Sequence, residues 1–164
     1  EILIGLVGSE MCIRDRQKIE HFSIKPNIRL LCEDAENLSL SSNTFDVVTI
    51  SFGIRNFENI VKGLSECHRI LKEGGSLFIM EFSTPKHKVF NVLYRIYSKH
   101  ILPLIGQVIS NDDKAYKYLP ESIVEFNREH EFTELLLNNG FDSCISISLS
   151  NGIAHIYIGV KSKM

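Results

Sequence analysis

Two stretches, FDVVTISF at residues 45–52 and LFIMEF at residues 77–82, bracket a segment of helical periodicity, and the three together decide the fold class. The first is β-branched and carries a small hydroxyl, Ser51, near its end, which predicts a central strand. Between them Phe57, Ile60, Val61, Leu64, Cys67 and Leu71 recur at helical spacing, while Glu58, Lys62, Glu66 and Arg69 fall on other faces. Gly74-Gly75 is expected to end this helix, because glycine tolerates the left-handed conformation found beyond a helix C-terminus. Strand, helix, strand is a βαβ unit, which implies parallel strands and places ligands at their carboxyl edge. The class is therefore α/β with a Rossmann-like sheet.

Upstream, Ile28 to Cys32 (IRLLC) is a short apolar run ending at Glu33-Asp34, as a buried parallel strand would. Residues 36–44 are a polar loop rich in Ser and Asn. Downstream, residues 88–110 are mostly apolar and aromatic and are interrupted by Pro103 and Gly106, which reads as a helix with a broken continuation. Pro120 opens a further helical stretch through Phe132, Leu135 and Leu136 to a stop at Gly140. The period then changes: Ile145, Ile147 and Leu149 alternate with serines, Ser150-Asn151-Gly152 signals a turn, and residues 153–160 return as a strand. An antiparallel hairpin at the sheet's edge is expected.

The chain of 164 residues suits one domain, and 44% apolar with 23% charged residues is ordinary for a globular protein. A formal net charge of −2 with interspersed signs argues against a nucleic-acid partner. Cys12, Cys32, Cys67 and Cys144 are too scattered for a zinc site and read as reduced core thiols. No apolar run reaches the ~20 residues that a membrane-spanning helix needs.

Residues 1–16, EILIGLVGSEMCIRDR, mimic a strand followed by a glycine-containing loop, so Gly5 and Gly8 could be taken for a cofactor cradle. Only about one βα unit fits between Gly8 and Asp34, where two are expected before the acidic residue of such a fold. VGSEMCIRDR also looks like translated sequencing adapter. Residues 1–16 are accordingly expected to be a non-native segment, and residues 17–164 the C-terminal part of a single domain lacking its N-terminal βα units.

Residues 69–83, RILKEGGSLFIMEFS, are similar to the R-V-L-K-P-G-G-x-L-x-x-x-E-F-S signature of the ubiquinone/menaquinone-biosynthesis C-methyltransferases, with Glu73 in place of proline. Asp34-Ala35-Glu36-Asn37-Leu38 and Thr49-Ile50-Ser51-Phe52-Gly53-Ile54-Arg55-Asn56 resemble two more motifs of that family, as do Tyr94, Tyr97-Ser98, His100 and Tyr116 further on. The resemblance implies a class I S-adenosylmethionine (SAM) dependent methyltransferase fold, with SAM as cofactor. It implies C-methylation of a polyprenyl benzoquinol or demethylmenaquinol. It also implies cofactor contacts at Asp34, Ala35 and Ser51. At the mouth of the site it places Arg55, as electrostatic stabiliser of a phenolate, and Asn56, as a positioning group. Tyr97 and His100 are candidates for substrate orientation or proton removal. A prenylated quinol, contact with a membrane surface or a quinone-biosynthesis complex, and a homodimer are the implied partners. The implied location is cytoplasmic, peripheral to the inner membrane, or the mitochondrial matrix in a eukaryote.

Two other functions compete. A truncated, non-catalytic subunit of a quinone-biosynthesis complex would keep its contacts in that complex without holding SAM. A nicotinamide oxidoreductase would need an intact GxGxxG, which residues 17–164 lack.

Overall fold

The computed structural model describes residues 2–5, 28–85, 91, 92, 94, 96, 97, 123, 126 and 131–163. Its strands are β1 (Ile2–Gly5), β2 (Ile28–Leu31), β3 (Phe45–Ser51), β4 (Leu71–Phe82), β5 (Phe141–Leu149) and β6 (Ala154–Lys161). Its helices are α1 (Ile60–Ile70), between β3 and β4, and α2 (Phe132–Asn138), before β5. β1 and β2 form a parallel pair, and a four-stranded sheet runs in the order β3-β4-β6-β5. β3 and β4 are parallel, joined through α1, whereas β6 is antiparallel to both β4 and β5. The βαβ unit and the terminal hairpin thus stand as expected, with β5 at the outer edge. β1 falls inside the segment set apart in the sequence, and it pairs in register with β2, Ile2 opposite Ile28 and Gly5 opposite Leu31.

α1 starts where Asn59, in extended conformation, accepts the Lys62 N–H at 3.0 Å through its side chain and so satisfies one orphan donor of the first turn. The helix buries Gly63, Leu64, Cys67 and Ile70, and it leaves Val61, expected on the apolar face, exposed. Leu64 and Cys67 join Leu71, Leu77 and Ile79 of β4, Ile54, Phe126, Phe132, Leu136 and Phe141 in one core. Each fully buried aliphatic side chain contributes about 1.5–3 kcal/mol relative to exposure. Gly159 of β6 is small because Phe141 lies against it: an added Cβ would come within 2.9 Å of the ring.

Gly74-Gly75 does not end the helix. α1 stops at Ile70, and Leu71 is already extended as the first residue of β4. The carbonyls at the helix end are satisfied from elsewhere. Asn43 N–H donates to Arg69 O, Thr44 N–H to Ile70 O, and the Lys161 ammonium to His68 O and Leu71 O at 2.8 Å each. With those acceptors filled by a distant loop and by the end of β6, a glycine cap is unnecessary. Gly74, at φ 75°, instead serves an irregularity within β4, where the register passes from Phe45 opposite Leu71 to Val47 opposite Ser76.

β3 was expected at the centre of the sheet. Among the described residues it pairs with β4 alone and lies at the edge, and Val47 is 53% exposed. Its β-branched composition suits a strand flanked on both sides, but composition does not supply the second neighbour. The expected stop at Gly140 does hold: φ is 90° there, and the N–H groups of Asn139 and Gly140 close on the carbonyls of the last turn. Asn91, Val92, Tyr94 and Ile96 are helical, in keeping with the first part of the apolar segment, and the remainder of residues 98–120 lies outside the described residues.

Candidate active site at the carboxyl edge of the parallel strands

The chain leaves β3 at Ser51, and the next residue, Phe52, has φ 56°. A bulky residue in the left-handed region is strained, and such strain concentrates where a chain is held for function. Phe52 N–H donates to Met80 O at 2.8 Å, so the turn stays hydrogen-bonded to β4 while reversing direction. A short 3₁₀ turn, Ile54–Asn56, follows. Ile54 is fully buried and anchors this turn in the core, which leaves Arg55 and Asn56 beside the strand ends.

Arg55 meets Glu81 of β4. Arg55 Nη1 donates to Glu81 Oε1 at 2.5 Å and to Phe52 O at 2.9 Å. Glu81 Oε1 also accepts the Phe82 N–H at 2.9 Å, and Oε2 faces the Arg55 N–H at 3.4 Å. The pair is nearly dry, with side-chain exposures of 9% for Arg55 and 1% for Glu81. Phe52 and Phe82 stack with centroids 4.3 Å apart, and the guanidinium carbon of Arg55 lies 5.8 Å from the Phe82 centroid. Below Glu81 on the same face, burial and then the Glu81 charge raise the Tyr157 phenol above its ordinary range.

Asp34 and Ala35 follow the carboxyl end of β2, in a turn closed by Asn37 N–H to Asp34 O at 3.0 Å. Asp34 is exposed, and its Oδ1 accepts the Glu36 N–H at 2.9 Å. This loop is strapped to α1 by residues of the 69–83 motif and its neighbours. Arg69 donates to Leu38 O, Leu40 O and Ser42 Oγ, and Glu66 accepts the Leu38 N–H at 2.9 Å. Arg69 also pairs with Glu66, whose carboxyl it holds below the ordinary range by hydrogen bonding. Glu36 accepts the Asn59 N–H at 2.9 Å, and Glu33 accepts both the N–H and the hydroxyl of Ser39. The loop after β2 therefore has a defined place relative to the helix that follows β3.

Of the residues singled out in the sequence, Ser51, Arg55 and Asn56 lie together at the end of β3; Asp34 and Ala35 lie at the end of β2. Ser51 and Asn56 are exposed. Tyr97, at 43% exposure, is on the helical segment beside half-buried Tyr94, whose phenol burial raises. His100 lies outside the described residues. Among the described residues no hydrogen bond joins Asp34, Ser51 or Tyr97 to the Arg55 cluster. Glu81 is the residue that sequence reasoning passed over. The signal was present: in LFIMEF, Leu77, Ile79 and Glu81 share one face, so alternation turns the glutamate inward with the two aliphatics.

The model of the ubiE/COQ5 methyltransferase family matches residues 2–161. The chain is 38% identical over 160 residues to the mitochondrial 2-methoxy-6-polyprenyl-1,4-benzoquinol methylase of Bos taurus, covering 98% of this chain and 48% of that protein. It is 38% identical over 152 residues to the demethylmenaquinone methyltransferase of Porphyromonas gingivalis, covering 93% of this chain and 62% of the relative. The chain thus spans about half to two-thirds of the length of these relatives. Among solved structures, an SAM-dependent methyltransferase from Aquifex aeolicus superposes with a TM-score of 0.68 at 15% identity, covering 98% of this chain and 68% of that one. A methyltransferase from Methanococcus maripaludis gives 0.67 at 18% identity, with 99% and 68% covered. At such identities the likeness concerns the fold, which is that of the class I SAM-dependent methyltransferases. With the family model matching residues 2–161 and these relatives matching nearly the whole chain, it belongs to the ubiE/COQ5 methyltransferase family.

Proposed function

We propose that this chain is the carboxyl-terminal part of an enzyme that transfers a methyl group from SAM to a ring carbon of a prenylated hydroquinol. The observation that carries the reading is the Arg55 guanidinium, held in a dry cluster at the carboxyl edge of the parallel strands, in a chain related to quinol C-methyltransferases. The donor set at the strand ends fits the cofactor's adenine. The Asp34 carboxylate can accept from the exocyclic amine, the Ala35 N–H can donate to a ring nitrogen, and Ser51 can meet the cofactor from the end of β3. When bound, SAM supplies a methyl group on a sulfonium, an electrophile that needs an electron-rich carbon in line with it.

Ionisation of a ring hydroxyl makes that carbon electron-rich. In this reading Arg55 donates hydrogen bonds to the phenolate oxygen, which lowers the cost of the charge in a site shielded from water. Asn56, next to it on the same turn, positions the ring. Tyr97 and His100 orient the substrate or accept its proton. Residues 17–164 carry these groups, and residues 1–16 carry none of them. A membrane surface or a quinone-biosynthesis complex delivers the prenylated substrate, and the protein works as a homodimer in the cytoplasm or mitochondrial matrix, peripheral to the membrane. Among the described residues no helix is long and apolar enough to cross a membrane.

Methyl transfer is the test. The chain, joined to the amino-terminal segment of the Porphyromonas gingivalis relative, should label a short-chain demethylated hydroquinol from methyl-labelled SAM. Arg55→Ala should lower turnover by about 10²-fold, with SAM affinity unchanged. Wild-type turnover in that variant would remove Arg55 from the chemistry and shift the role to Tyr97 and His100.

A further inference from the structure

We infer that the outer edge of β5 docks a second copy of this chain, the two β5 strands pairing antiparallel about a two-fold axis at Ser146. The inference deepens the homodimer of the reading above by naming its interface.

Among the described residues β5 pairs on one side only, with β6. Ile145, Ser146, Ile147 and Ser148 are all exposed, Ile145 by 55% and Ile147 by 44%. Alternation sends these four residues to opposite faces of the sheet, so the rim is open from both sides. Sheet edges are ordinarily guarded by charge, by proline or by a bulge. The edge at β3 has such a guard in Asp46, whose side chain is 80% exposed and pairs with Lys72. β5 carries no charged residue and no proline from Ser143 to Leu149, and its one irregularity lies before that run, between Phe141 and Ser143. An edge left so open is a template for another strand.

The strand that fits it best is its own copy. Ser146 is the midpoint of the regular run, so turning a second β5 about that point sets Ile145 opposite Ile147 of the second copy, and Ile147 opposite Ile145. Residues directly opposite in an antiparallel pair share a face, so the exposed isoleucines of the two copies close on one another. The face continues inward without a break. Ile145 lies beside Ile158 and Ile147 beside Ile156 of β6, which in turn flank Phe78 and Met80 of β4. No charge meets its like across the axis, since the run has none. The contact is isologous and uses the same edge of both copies, so assembly closes at two rather than growing.

Sedimentation velocity of the full 164-residue chain tests the interface. Wild type should pass from monomer to dimer as its concentration rises through the micromolar range, and no further. Ile145→Lys/Ile147→Lys replaces two apolar cross-strand pairs with like charges and should raise the dissociation constant by about a hundredfold or more. Ile145→Thr/Ile147→Thr keeps β-branched side chains and should raise it by about tenfold, so the test survives if the lysine variant does not fold; near-UV circular dichroism establishes folding. Val47→Lys on β3 and Val61→Lys and Leu137→Lys on the helices alter residues that are comparably exposed, and these variants should dimerise as wild type does. A wild-type chain that stays monomeric, or that grows into larger species, overturns the inference. So does a dimer that survives in the folded β5 variants or is lost in Val47→Lys. The assay reads association and not methyl transfer, so its failure would remove this interface and leave the reading of the SAM and quinol site standing.

Discussion

Breaking the Arg55–Glu81 pair from one side should be costlier than removing it altogether. Arg55→Met leaves a carboxylate that is 1% exposed with the backbone N–H groups of Phe82 and of residue 55 but no guanidinium partner. Glu81→Leu leaves a guanidinium that is 9% exposed and has lost its carboxylate, with Phe52 O still accepting from Nη1. Breaking a buried ion pair from one side costs about 3–5 kcal/mol. The double variant Arg55→Met/Glu81→Leu removes both charges and fills the space with apolar atoms, so its loss should be smaller than either single loss, at most about 1–2 kcal/mol. The coupling energy should therefore exceed about 3 kcal/mol, above the range of an exposed pair. Urea unfolding followed by far-UV circular dichroism measures it, provided the slope against denaturant is unchanged among the four proteins. Additive single losses, with a double variant as unstable as their sum, would refute the description of this pair as dry and mutually dependent.

Other consequences can be checked in the same preparations. Burial, and then the neighbouring Glu66 charge, push the Cys67 thiol up to about 12, so a thiol reagent at pH 8 should modify exposed Cys32 and spare Cys67 until the protein unfolds. Burial, and then the Lys161 ammonium, hold the His68 imidazole below its ordinary value. The unfolded chain then takes up that proton first, so this contribution is full above about pH 6.5 and is lost as the pH falls through the folded value. His68→Gln should flatten the stability profile below pH 6.5, and an unchanged slope would exclude His68 as the cause. Deleting residues 1–16 removes β1 but, among the described residues, no member of the Leu64–Ile79–Phe141 core, so the main unfolding transition should keep its midpoint by calorimetry. A large fall would make β1 an integral part of the domain.

The sequence by itself determined the local elements. The β-branched run at 45–51, the helical spacing of Ile60, Leu64 and Cys67 and the alternation at 145–149 each report a period that the backbone imposes on nearby side chains. Motif order carried the family, and the carboxyl-edge rule brought Ser51, Arg55 and Asn56 to one place, because all three follow one strand within a few residues. Only the tertiary structure decided what depends on residues distant in sequence. α1 ends at Ile70 because Lys161, about ninety residues away, and the 43–44 backbone take its carbonyls, which left Gly74 for an irregularity in β4. Among the described residues β3 lies at an edge, because sheet position depends on which strands pair with it, not on the composition of the strand. Glu81 shows the division most directly. Alternation alone could turn it inward, but its charge partner is Arg55, 26 positions earlier, which a strained turn and a parallel register bring to within hydrogen-bonding distance.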